Sequence, residues 1–243
     1  MHTDLTKKSM VVFTALVYSC IGMAQDLFVD SKPITFVRMQ KAEPTQTVGG
    51  YPILDLGTDQ LLNHLETFYA SSSRGRIPMG FASLIAAKDN ALLAIESISA
   101  NLAQSATVVD WTDEPCKKTD VLWNKSTGGN FSNVNCATIS YQTGFARDYP
   151  TVVLVTFTRY SNSARRLVYQ VNINPELFGV ERDAEPKWEA NSWHKSRIQA
   201  DPKKVEFVDH LSKWAEDVQN RMNDAFEKKP GAFSGIAPLA SYF

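Results

Sequence analysis

The sequence is poor in the residues and patterns that announce chemistry. It has three cysteines and four histidines in 243 residues. No two histidines bracket a glutamate at the i, i+4 spacing of a helical metal site, and a structural zinc would need four nitrogen or sulfur ligands at tighter spacing. G-x-G-x-x-G, P-loop and G-x-S-x-G patterns are missing, which removes the mechanical parts of dinucleotide, nucleotide and acyl-hydrolase sites. No cofactor is therefore expected. Charge of one sign is also lacking: 25 Lys and Arg face 26 Asp and Glu, without a long basic run. Nucleic acid has no electrostatic footprint here. Nor do Pro/Gly/Ser-rich linkers, internal repeats or low-complexity tracts divide the chain into more than one domain.

Long apolar runs are confined to the N-terminus. Lys7 and Lys8 close a short positive segment, residues 9–21 form an apolar run, and Gly22-Met23-Ala24 puts small residues where a signal peptidase reads. Residues 1–24 are read as a signal peptide cleaved after Ala24, followed by one exported domain over residues 25–243. No later stretch approaches the roughly 20 apolar residues of a membrane span, so stable insertion is not expected. Val17-Tyr18-Ser19-Cys20 resembles a lipoprotein cleavage box, but Tyr18 fits it badly. Cleavage removes Asp4, Lys7 and Lys8 and leaves 23 basic and 25 acidic residues, net −2. It also removes Cys20. Cys116 and Cys136 remain, and an oxidising compartment pairs them as a disulfide, which the chain-entropy model credits with roughly 3 kcal/mol.

What is present is a good core former, 44% hydrophobic and 11% aromatic. Residues 33–37 and 51–54 read as two edge strands joined by a loop with Pro44 and Gly49-Gly50. Thr58 is placed to cap a short amphipathic helix carrying Leu61, Leu62, Leu65, Phe68 and Tyr69. Over residues 81–103, the alternation from Ser97 to Leu102 and the turn pair Asp89-Asn90 favour a hairpin over a helix. Residues 107–111, 121–125, 134–141, 152–160 and 167–173 are β-branched and aromatic, hence strands. The last two flank Ser161-Asn162-Ser163-Ala164 as a hairpin. There Leu167, Tyr169, Val171 and Ile173 share a buried face, and Gln170, Asn172 and Asn174 share a wet one.

The C-terminal helix is the clearest element. Asp201 is a suitable N-cap and Pro202 suits the first helical position. Val205, Val208, Leu211, Ala215, Val218, Met222 and Ala225 form one stripe, with Phe207, Trp214 and Phe226 at its margins. Lys228-Lys229-Pro230-Gly231 stops it. The expected fold is α+β: an antiparallel sheet packed by this long helix and a short N-terminal helix, with one disulfide.

Candidate chemistry is sparse. His64 and His210 read as structural or solvated, whereas His194 lies in an aromatic loop with Trp188 and Trp193; these three form the candidate binding surface. Ser192-Trp193-His194-Lys195 fits S-x-x-K and Lys125-Ser126-Thr127-Gly128 resembles K-[ST]-G, but in penicillin-recognising enzymes the two motifs come in the opposite order. Asp110, Asp113 and Glu114 around Trp111 lack an opposed carboxylate for glycosidase geometry.

Trp111-Thr-Asp-Glu-Pro-Cys116, Asp120-Val-Leu-Trp123, Cys136 and Asp201-Pro-Lys-Lys ahead of the Trp214 helix together resemble a set of exported proteobacterial proteins without established function, over about residues 76–226. The resemblance implies the disulfide and a Gram-negative periplasm, and no catalytic residue. The order of elements is similar to helix-grip folds, an analogy of fold alone. The functional expectation is a periplasmic, non-catalytic binding or envelope-interaction module whose partner is an envelope protein or an apolar small molecule. The alternatives are a carrier holding an apolar ligand between helix and sheet, and a hydrolase using Ser192 or His194.

Overall fold

Antiparallel pairing dominates the chain. The computed structural model describes residues 25–102, 111, 114–127, 133–161 and 165–243; the expected signal peptide, most of the strand expected at 107–111, and the turn residues 162–164 lie outside these. Strands β1 (Phe28–Val29) and β2 (Lys32–Pro33), then β3 (Thr47–Val48) and β4 (Tyr51–Pro52), form two minimal hairpins. Seven longer strands follow: β5 (Gln60–Ser72), β6 (Gly75–Lys88), β7 (Ala91–Asn101), β8 (Trp123–Ser126), β9 (Asn133–Ala146), β10 (Tyr149–Ser161) and β11 (Arg166–Ile173). They make one sheet in the order β5-β6-β7-β11-β10-β9-β8, two meanders joined where β7 meets β11. Among the described residues a single α-helix, α1 (Pro202–Phe226), comes last. Among the described residues no helix is long and apolar enough to cross a membrane.

Turn chemistry explains the hairpins. Asp30-Ser31, Gly49-Gly50 and Asp89-Asn90 each link two strands with both residues at positive φ, as type I′ turns require. At Gly49 the constraint is also steric, because a Cβ would stand 2.9 Å from the Asn101 carbonyl oxygen. The hairpin expected over residues 81–103 is thus present.

The short helix expected over residues 61–69 is instead strand β5. Its register with β6 shifts between Leu62 and His64, so one extra residue, Asn63, is inserted at a β-bulge. Leu62 and Leu65 therefore both point into the core, and the bulge reproduces the three-residue spacing of a helix face. Of the expected edge strands, 33–37 contributes only Pro33 and 51–54 only Tyr51 and Pro52. Between them the segment's backbone runs along β5, where the Met39 and Ala42 N–H groups donate to the Leu62 and Gln60 carbonyls and the Leu62 N–H donates to the Gln40 carbonyl.

α1 begins as expected: Asp201 accepts hydrogen bonds from the Lys203 and Lys204 N–H groups, and Pro202 follows. The helix rests on β8, β9 and β10, with Trp214 edge-on to Phe157 at 5.6 Å. The rest of the same sheet face is covered by Leu27, Val48, Tyr51, Leu54 and Leu56 from the N-terminal segment, and by Phe233 and Leu239 after α1. On the opposite face a smaller cluster gathers Trp111, Met79, Val134 and Tyr160. There Cys116, in a 3-10 turn (Pro115–Lys117), is disulfide-bonded to Cys136 of β9.

Leu211, Trp214, Ala215, Val218 and Met222 have no area open to a water-sized sphere, from outside or from within. They border no chamber, so the helix–sheet seam gives the apolar-carrier reading no support. Leu211→Ala and Val218→Ala should each cost about 2 to 5 kcal/mol in denaturant unfolding, without uptake of a fluorescent apolar probe. Losses under about 1 kcal/mol with saturable probe binding would instead place a cavity under α1.

Candidate functional site

From β4 to the start of β5 the N-terminal segment crosses the sheet face with backbone groups that no ladder pairs, and these need other partners. Side chains of the sheet provide them. Glu96 of β7 accepts the Leu54 N–H at 3.0 Å, Tyr169 of β11 donates to the Pro52 carbonyl, and Asn101 accepts from the Tyr51 hydroxyl at 3.2 Å. Gln60, at the start of β5, donates to the second Glu96 oxygen and accepts from the Leu56 N–H at 3.5 Å. Glu96 and Tyr169 have no exposed area.

A cleft of about 570 Å³ opens where this cover meets the chain after α1. Gln60 and Ile53 line it, Lys41, Glu43, Asp55 and Asp59 line it with charge, and Phe233 and Ser234 close its far side. Lys41 and Asp59 pair across it at 2.7 Å, both exposed. Behind Gln60 stands Glu96, whose carboxyl is pushed up to about 8 by burial, against the opposing pull of the Leu54 and Gln60 hydrogen bonds. Asp55 adds a smaller upward push. Burial also drives the Tyr169 hydroxyl well above its usual range. The cleft thus combines an apolar wall, a charged rim and a buried, proton-holding carboxyl one residue behind its floor.

The aromatic loop expected to form a binding surface divides. Trp188 stacks flat on Tyr141 at 4.1 Å, half-buried, and His194 meets it edge-on at 6.2 Å. Trp193 does not belong with them: it has no exposed area and packs edge-on to Phe207 at 5.8 Å, a core residue rather than a surface one. Trp188 and Trp193 fall on either side of the turn after the 3-10 segment Trp188–Ala190, and neighbours there face opposite ways, so sequence proximity was a poor guide.

Ser192 is likewise placed differently from its motif. Its S-x-x-K partner Lys195 binds Asp120 at 2.7 Å and the Thr119 carbonyl at 2.9 Å. Ser192 instead accepts from Lys204 Nζ at 2.6 Å, while Asp183 accepts from the Ser192 N–H and, at 2.9 Å, from the Glu185 N–H. Burial raises the Asp183 carboxyl, but these hydrogen bonds outweigh it and hold the group below its usual range. Lys204 also lies 3.4 Å from Asp201. The set works as a clamp fastening the 183–192 loop to the N-terminus of α1.

The three histidines of residues 25–243 stay apart. His64 pairs with Glu66 on β5, His194 contacts Ser196, and His210 faces Phe243 on α1. Among the described residues no three His, Cys, Asp or Glu side chains converge as a metal site. Asp110, Asp113 and Gly128 lie outside those residues, and Glu114 pairs with Lys117 at 2.9 Å.

Glu96 escaped the sequence reading. The available signal was one charged residue among the inward positions Ala94, Ile98 and Ala100 of an alternating strand. Its folded-state value lies above the ordinary 4.5, so the folded state retains a proton that the unfolded chain releases. Stability is greatest below about pH 4.5 from this group, falls as pH rises toward 8, and levels off above it. Glu96→Gln should remove that slope, gaining on the wild type by roughly 3 to 5 kcal/mol between pH 5 and 8 in urea titrations. Parallel curves for the two proteins would show that Glu96 does not titrate in this window.

Comparison with known proteins brings no family to this chain: no family model, curated protein or solved structure matches it.

Proposed function

We propose that this is an exported, periplasmic protein that binds a small ligand without transforming it, and that the cleft beside Gln60 is its binding site. The observation that carries the reading is the cleft itself, framed by the N-terminal cover and the chain after α1 and backed by Glu96. Ligand sites are concave, with apolar walls and a few placed polar groups, and Ile53, Phe233, Gln60, Lys41 and Asp55 supply that mixture. Ser192 lies outside the cleft, fastened to Lys204 and, through its N–H, to Asp183. Export is supported by the apolar N-terminal run and by a disulfide, which persists in oxidising compartments.

A ligand carrying both an apolar body and a polar head suits these walls. Ser234 is exposed on the far side of the cleft, so Ser234→Trp should fill the site and leave the core intact. In a thermal-shift screen of small amphiphilic metabolites, a compound that raises Tm by several degrees in the wild type should fail to do so in Ser234→Trp. A hit that stabilises both proteins equally would move the binding site elsewhere. Turnover of such a hit would replace binding with catalysis.

A further inference from the structure

One side chain joins the cleft to the buried carboxyl behind it. Gln60 lines the cleft and is itself only 8% exposed. Its amide nitrogen donates to Glu96 Oε2, and its amide oxygen accepts the Leu56 N–H at 3.5 Å. The other Glu96 oxygen, Oε1, accepts the Leu54 N–H at 3.0 Å. Leu54, Leu56 and Glu96 are buried, so all of these groups lie out of reach of bulk water.

This set of hydrogen bonds suits one protonation state only. An ionised carboxylate accepts and never donates, whereas a neutral carboxyl carries an O–H that must donate. Oε1 already faces a donor, the Leu54 N–H, which leaves Oε2 for the proton. There the O–H meets the Gln60 NH2, donor against donor. A half-turn of the Gln60 amide resolves the clash by bringing its oxygen to Glu96. The same turn aims the NH2 at the Leu56 N–H, and Leu56 loses its partner. Glu96 and Leu56 thus compete for the single Gln60 oxygen.

Leu56 holds the rim of the cleft. Asp55 precedes it, and Gly57, Thr58 and Asp59 follow it, all four lining the cleft. Beyond Leu56 the rim is pinned again where Thr58 Oγ1 donates to the Ala87 carbonyl at 2.9 Å and Asp59 pairs with Lys41. Resting on the reading of the cleft as the binding site, we infer that Glu96 and Gln60 form a proton-operated latch: a proton on Glu96 turns the Gln60 amide, unfastens Leu56 and changes the wall that a ligand meets. Across the sheet Glu96 stands beside Leu84 of β6 and Val171 of β11. The cover adds Asp55, whose charge opposes ionisation of Glu96, and β11 adds Tyr169, its hydroxyl kept protonated by burial. Tyr51 of β4 lies near Tyr169, and the chain after α1 brings Phe233 edge-on to it at 5.5 Å. Burial of Glu96 places the turnover at about 8.

Amide hydrogen exchange of the ligand-free protein, read by NMR, tests the latch. Between about pH 6 and 9.5 the Leu56 protection factor, corrected for the intrinsic pH dependence of exchange, should rise about tenfold or more as Glu96 ionises. That of Leu54, bound to the other oxygen, should not rise. Glu96→Gln presents a permanent NH2 donor and should leave Leu56 weakly protected across the whole range. Gln60→Leu removes the contested oxygen and should do the same. Leu56 protection that stays constant through the range in the wild type overturns the latch, and so does protection that rises with pH in Glu96→Gln. Because no ligand takes part, these outcomes are independent of the Ser234→Trp test, whose failure would move the binding site and leave the latch intact.

Discussion

The width of the sheet sets the terms for everything else in this fold. Seven strands at about 4.8 Å span roughly 29 Å, whereas a helix packs over about 10 Å. α1 covers β8 to β10, and the remaining core face must be closed by short hairpins and irregular chain. That task falls to the 25–57 segment and to the residues after α1, whose Leu54, Leu56, Phe233 and Leu239 join the same core. Irregular chain laid over a core brings its amide groups with it, and a buried amide without a partner costs free energy comparable to a lost hydrogen bond.

The polar residues inside the core follow from that constraint. Glu96, Gln60, Tyr169 and Asn101 are the groups that receive the cover's amides, carbonyls and hydroxyl. A carboxyl is a costly way to satisfy one amide, because burial disfavours its charge, and the raised Glu96 value records that cost. Lys228 fastens the cover from the other side: it donates to the Gly49 carbonyl and lies 4.5 Å from the Tyr51 ring, with burial holding its ammonium below the usual lysine range. The cleft sits where the two covering segments fail to close on each other, so the proposed site is a by-product of the same mismatch between sheet and helix.

The sequence was most legible where local rules agree with tertiary demand. Asp201 and Pro202 fix the start of α1 and its stripe fixes the buried face, while Asp89-Asn90 announces its hairpin by residue type alone. It misled where a local irregularity imitates another period: the bulge at Asn63 gives Leu62 and Leu65 a helical spacing inside a strand. Trp193 and Ser192 were placed by their neighbours in sequence, but their partners Phe207 and Lys204 come from α1. The cleft could not be read at all, since Lys41, Gln60 and Phe233 meet only after three separate segments converge.

The central claim is that Glu96 holds a proton in the core because the cover must bury its amides there. Titration of the Glu96 side-chain carboxyl by carbon-13 NMR, assigned against Glu96→Gln, measures this directly. The account predicts a midpoint near pH 8. A midpoint near the ordinary 4.5 would mean a solvated carboxylate, and with it a cover that does not close over the sheet.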